Sequence, residues 1–350
     1  MLLSCHMKFL KLVILSLALA VPPLEAVMAP PFGASITWGT GKEAPSLEAM
    51  RGKAVLVVFF QEWCPICNEW SGQMFKNVTA TFKNDPRVVL VALKTDGGSV
   101  RDAMGYLKGR ADMDGWLVGT DSNATYARQA TGVDRLYTYA WITPAGEIGE
   151  SGKSGSAVTN SNPKTYWAAR DEAKRKFVEP AKALLDPKIP VPVALAPAVQ
   201  RAEQGLLATA LAESQRLAGR SELKDALATL RGAIAAKVQA SVEQHSTILS
   251  SAENPDRYLS YLALLDIESR FANSPFAQSA KKATTPQASA PWVVKEKEAQ
   301  RSYEALMRKA SRADDDRAVA RMTKSLQQFG VENKDTVFGR LAANATDAEN

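Results

Sequence analysis

The sequence predicts an α/β domain with a mainly parallel sheet, followed by an all-α domain. Three observations carry this. Apolar runs of the buried-strand type alternate with amphipathic stretches over the first half of the chain. Pro180, Pro187, Pro190, Pro192 and Pro197 then cluster in a short stretch. Beyond them the composition turns rich in Ala, Leu and Gln, with apolar residues at three- and four-residue spacings.

Taken in order, Ser35–Trp38 reads as a short edge strand and Ser46–Arg51 as a short helix. Ala54–Phe60 is continuously apolar, as a strand buried on both faces must be. A helix over Asn68–Phe82 carries Trp70, Met74, Phe75, Val78 and Phe82, and Asp85-Pro86 ends it. Arg87–Leu93 is a second buried strand, Val100–Leu107 a helix, Trp116–Val118 a short strand and Asn123–Thr131 a helix. Tyr137–Thr143 and Glu147–Glu150 form a hairpin around Pro144-Ala145-Gly146. A polar segment, Ser151–Asn162, leads to a helix from Pro163 to Leu185. The closing hairpin makes the sheet mixed.

In the second half, Lys188–Val193 is an extended linker. Gln200–Ala218 is a helix capped by Gly219. Leu223, Leu227, Leu230, Ile234 and Val238 mark the next apolar stripe, and Asn254-Pro255 starts a helix with Tyr258, Leu262, Leu265 and Phe271. Ala283–Pro291 is a polar linker, and Lys295–Ala310 pairs with Asp316–Phe329. The hairpins look like tetratricopeptide units without a repeat period. Their stripes are packing surfaces, with a partner-binding groove as the alternative. The expected organisation is a signal segment over 1–26, the α/β domain over 36–185, a Pro-rich linker over 186–198, the helical domain over 199–341 and a disordered tail over 342–350.

Lys8 and Lys11 precede the ten-residue apolar stretch Leu12–Val21, too short for a bilayer, which takes about 20 residues. This is the pattern of an export signal, with cleavage after Ala26 or Ala29, and predicts a periplasmic or secreted protein with no membrane span after cleavage. An uncleaved anchor is the alternative. The net charge of +6 is scattered rather than blocked, and Asp314–Arg317 reads as a helix start, which argues against nucleic-acid binding.

The chemistry lies in Trp63-Cys64-Pro65-Ile66-Cys67, directly after the first apolar run. A Cys-x-x-Cys between a strand and a helix places the first sulfur where unpaired amide donors and the helix dipole favour a thiolate. The only other cysteine is Cys5, in the signal segment. A structural disulfide network is therefore excluded, and zinc, which takes about four ligands, lacks them. His245 lies far along the chain on a helix, as a surface or satisfied core histidine, and Asn68 stands where c-type haem attachment needs His. An inert disulfide and a Cu(I) site remain as alternatives. Trp63 is read as a lid over the pair or as a core tryptophan, Glu62 as a modulator or a solvated acid.

The element order, the WCxxC motif and the segment Thr131–Ile148 resemble the thioredoxin family, over roughly 36–185. The resemblance implies a thioredoxin-like fold and thiol–disulfide exchange, with Cys64 attacking and Cys67 resolving. It implies no cofactor beyond the Cys64–Cys67 disulfide and no metal. Its partners would be protein thiols or disulfides and a redox partner protein, besides any partner of the helical domain. It assigns Trp63, Pro65, Ile66, Leu136, Tyr137 and Thr138 to the groove beside the pair. Two positions depart from the family. Tyr137 fills the cis-proline slot, with Thr138 kept, so a trans Leu136–Tyr137 bond is expected, with Tyr137 against the pair and slow turnover of generic disulfides. Val58 fills the slot of a buried acid. Pro65-Ile66 holds no His, so the Cys64 pKa is expected to be only moderately lowered, and Gln61 in place of a Thr argues against a peroxidase. The rival function is a non-catalytic scaffold whose helical domain binds proteins.

Overall fold

Seven consecutive buried residues, Ala54–Phe60, form the central strand of a six-stranded sheet. The computed structural model describes residues 28–33, 35–41, 43–63, 65–121, 124–131, 138–153, 170–310 and 316–347. The strands are β1 (Ile36–Trp38), β2 (Ala54–Phe60), β3 (Val88–Lys94), β4 (Trp116–Asp121), β5 (Thr138–Ile142) and β6 (Ile148–Lys153), in the order β1-β4-β3-β2-β5-β6. β2, β3 and β4 are parallel, and β1, β5 and β6 run antiparallel to their neighbours. This is the mixed sheet of the thioredoxin-like fold. Helices α1 (Pro65–Phe82), α2 (Val100–Lys108) and α3 (Thr125–Thr131) make the crossovers.

Alternation along β2 explains its unbroken apolarity. Leu56, Val58 and Phe60 share a core with Met74, Phe75, Val78 and Phe82 of α1. Val55, Val57 and Phe59 point to the other face, with Tyr126 and Ala127 of α3. Both faces are covered, so neither tolerates a polar side chain. Val58, in the slot of the family's acid, pairs with Ala92 and is 1% exposed.

The second half is helical: α4 (Ala196–Glu203), α5 (Leu207–Arg216), α6 (Lys224–Ser250), α7 (Arg257–Arg270), α8 (Pro275–Thr284), α9 (Pro291–Ala310), α10 (Asp316–Glu332) and α11 (Val337–Asp347). The long α6 buries Leu227, Leu230, Ile234, Val238, Val242, His245 and Leu249 on one stripe. Among the described residues no helix is long and apolar enough to cross a membrane.

Several expectations are corrected. Ser46–Arg51 is a set of tight turns rather than a helix, held by Met50 N to Ser46 O and Arg51 N to Glu48 O. The strand at Trp116 runs on to Asp121. The helix expected to reach Leu185 ends in a π-helical turn, Lys174–Val178, just before Pro180, which cannot continue it. The helix expected over Gln200–Ala218 breaks at Gly205, whose φ is +76° and where a Cβ would lie 3.0 Å from Met50 Cγ. Only glycine suits both the left-handed backbone and the close approach. Gly219 caps nothing, because α5 already ends at Arg216. The linker expected over Ala283–Pro291 overlaps the end of α8 and a 3₁₀ turn, Thr285–Gln287. The tail expected to be disordered from Ala342 is helical to Asp347, with Ala342 fully buried.

The break at Gly205 turns the chain so that Leu206, fully buried, enters the sheet core beside Met50, Val55 and Val89. Polar contacts seal the same junction. Lys53 pairs with Glu203 and donates to the carbonyl of Pro86 at 2.7 Å. Glu203 also accepts from Leu184 N and Leu185 N. Glu43 accepts from Thr209 N at 2.7 Å, in the first turn of α5, and faces Arg270 at 3.4 Å. His245 is a core histidine, with Nδ1 3.0 Å from Ser260 Oγ and Nε2 3.0 Å from Glu48 Oε1, the latter close enough for an ion pair but outside hydrogen-bond geometry. The helical domain therefore docks where β2, β3 and β4 begin. Seven residues of strand place that end about 20 Å from the end where β2 leads to the cysteines.

Candidate functional site

The motif follows the C-terminal end of β2 in sequence, the end of parallel strands at which α/β folds place their chemistry. β2 stops at Phe60, Gln61–Trp63 form the approach, and α1 opens at Pro65. Proline is favoured there because the first helical N–H has no partner to lose and the ring presets φ. Cys67 is the third residue of α1, and the first turn holds no acid to oppose a thiolate. Cys64, Leu136 and Tyr137 lie outside the described residues, as does the Leu136–Tyr137 bond, and so do the side chains of Pro65, Ile66 and Cys67.

Trp63 is 64% exposed, which rules out the core reading of that residue. Thr138 opens β5 opposite Phe59 and is 1% exposed. Gln61 is buried too. Among the described residues neither Thr138 Oγ1 nor Gln61 Oε1 has a hydrogen-bond partner. Buried polar atoms are seldom left so, and these two lie just after β2 and at the start of the adjoining β5.

The approach is fixed by the loop after β3. Thr95 N donates to Phe60 O at 3.0 Å, and Glu62 N donates to Asp96 Oδ2 at 3.1 Å. Lys94 lies 2.8 Å from Asp96 Oδ1 and 3.3 Å from Glu62 Oε1. Burial works against its charge, but the Asp96 and Glu62 carboxylates outweigh that and hold its pKa above the ordinary lysine value. Glu62 is thus paired with Lys94 while its side chain stays 40% exposed. Sequence reasoning missed Lys94 and Asp96, since the strand was expected to stop at Leu93. A lysine closing a wholly apolar run and followed by Thr-Asp-Gly-Gly was the available signal.

At the same end, Asp121 closes β4 fully buried and accepts from Tyr126 N at 3.0 Å, Ala127 N at 2.9 Å and Ser35 Oγ at 3.3 Å. Burial outweighs these bonds and pushes its pKa up to about 6. No group of three potential metal ligands gathers among the described residues. A cleft of about 500 Å³, lined by Gly39, Lys108, Trp116, Gln200 and Gln204, opens between the sheet edge and α4, at the end remote from the cysteines.

Several solved structures resemble the chain over less than half its length. A candidate protein disulfide isomerase from Bacteroides thetaiotaomicron is 18% identical, with a TM-score of 0.35, covering 44% of this chain and 89% of that one. A candidate thiol:disulfide interchange protein DsbE from Chlorobium tepidum is 23% identical at a TM-score of 0.33, covering 41% of this chain and 96% of that one. The exposed lipoprotein thioredoxin of Streptococcus pneumoniae is 20% identical at a TM-score of 0.31, covering 41% and 99%. No protein-family model and no curated protein matches the chain. The fold assignment rests on the strand order and registers above, not on these likenesses.

Proposed function

We propose that this protein is an exported thiol–disulfide oxidoreductase. The observation that carries the reading is the Cys64–Cys67 pair at the junction of a buried parallel strand and the first turn of an 18-residue helix. Amide donors and dipole at such a helix start favour the thiolate that exchange requires. The Cys64 thiolate attacks one sulfur of a substrate disulfide, that S–S bond breaks, and one substrate thiolate leaves. Cys67 as thiolate then attacks Cys64 Sγ in the mixed disulfide and expels the second substrate thiolate. Two electrons pass to the substrate, and the Cys64–Cys67 disulfide remains. A redox partner protein resets the pair, and the reverse sequence oxidises a dithiol. Leu136 and Tyr137 would border the substrate groove, and Thr138 lies at its edge.

Export is part of the proposal. Ala29 N donates to Gly146 O at 2.9 Å and Met28 bridges to Glu147, so cleavage after Ala26 keeps these contacts, whereas cleavage after Ala29 removes them.

Trapping tests the reading. Cys67→Ser accumulates mixed disulfides with exported proteins, because resolution is blocked, and Cys64→Ser does not. Capture by neither variant, with no exchange kinetics in the wild type, sinks the reading. It would favour the second one, a scaffold whose helical domain binds partners. Tyr137 in the cis-proline slot, together with a helical domain locked to the sheet, favours that rival.

A further inference from the structure

The chemistry proposed above makes no use of a buried cation beside it. Lys94 closes β3 in register with Phe60, and its side chain is 2% exposed. Lysine is almost never buried so deeply without partners. Three segments supply them. Glu62 comes from the approach to α1, Asp96 and the carbonyl of Gly97, 2.5 Å away, come from the loop after β3, and Asp102 attracts from the first turn of α2. Gly98 has φ +81°, and a Cβ there would stand 3.1 Å from the Lys94 nitrogen, so glycine leaves the room the ammonium occupies. The backbone of the approach is already held by Thr95 N to Phe60 O and Glu62 N to Asp96. What Lys94 adds is charge. Glu62 stands two residues before Cys64, and an uncompensated carboxylate near a thiol opposes its ionisation.

We propose that Lys94 is a positioning residue of the thiol–disulfide centre: it holds the Glu62 side chain and cancels carboxylate charge that would oppose a Cys64 thiolate. The proposal rests on the exchange reading above. Exchange rate follows thiolate fraction, so Lys94 sets the pH at which the pair becomes active.

The test is the alkylation rate of Cys64, followed from about pH 5 to about pH 10 in the reduced full chain carrying Cys67→Ser, with the peptide identified by mass spectrometry. Lys94→Met raises the pKa read from the profile by about one unit, a roughly tenfold loss of thiolate at acidic pH. Lys94→Arg keeps the profile near wild type, Glu62→Gln lowers it, and the double variant Lys94→Met/Glu62→Gln moves back toward wild type. An unmoved profile in Lys94→Met overturns the proposal, as does a shift that Glu62→Gln fails to reverse. If Lys94→Met does not fold, Glu62→Gln decides alone, and the absence of a downward move overturns the proposal. The exchange reading fails on a different measurement, a glutathione titration in which wild type forms no reversible Cys64–Cys67 disulfide.

Discussion

At the ends where β2 and β4 begin, Met50 and Leu206 share one apolar core and Gln204 donates to the carbonyl of Gly115. At the ends where β2, β3 and β4 finish, the cover is polar: Lys94 among carboxylates, Asp121 under α3, and Gln61 and Thr138, whose Oε1 and Oγ1 have no hydrogen-bond partner among the described residues. One end is sealed by a second domain and the other is left to the cysteine motif. Burial at the first end fixes geometry. Charge at the second end is buried by the α/β domain's own loops and by α3. The helical domain therefore serves the sheet as a foundation at the end remote from the cysteine motif.

The largest way to break this contrast is at the sealed end. Glu203→Ala strands Lys53 and removes the acceptor for Leu184 N and Leu185 N. Loss of one member of a buried pair costs about 3–5 kcal/mol, so the denaturant midpoint falls sharply while the Cys64 alkylation profile stays in place. A changed profile would show that the two ends communicate. Leu206→Ala comes next. It opens a cavity in a fully buried site, at about 3 kcal/mol, and lowers sheet and helical transitions together. Two separate transitions would contradict the shared core.

Acidity sharpens the comparison, because the two ends respond with opposite sign. Asp121 has a folded pKa of about 6 against an ordinary 3.8, so its stabilising contribution is full below 3.8 and is lost as pH rises through about 6. Asp121→Asn removes that slope, worth roughly 2–3 kcal/mol. Burial pushes Glu48 up, but His245 and Arg51 outweigh it and leave its pKa lowered from 4.5. Its contribution is present above 4.5 and fades as pH falls through the folded value. Glu48→Gln therefore flattens the acid limb only. Urea melts at several pH values check both. Slopes of the same sign would refute the assignment.

Much of this architecture was legible because burial writes itself into periodicity. Ala54–Phe60 and the α6 stripe could be read directly. The misses share a cause. Gly205 interrupts a run whose spacing still looks helical, and its need for a left-handed backbone comes from Met50, far away in sequence. The tail at Ala342 looks polar in isolation and is helical because it packs onto α10. α8 begins with Ser274 as N-cap and Pro275 after it, a local signal that was present and overlooked. Cys64 and Cys67 were legible as a motif, whereas Lys94 was hidden, since its partners lie on three separate segments.

Leu206 has a consequence for how the chain comes into being. A ribosome delivers residues in order, at about 5–20 per second. The last strand, β6, ends at Lys153, yet one face of the sheet lacks its final side chain until residue 206 and the turn that aims it have emerged. Until then an oily patch around Met50 and Val55 stands open. The two halves are thus separate in architecture but joined in biogenesis: the sheet is born unfinished and waits for the first helices of its neighbour to close it.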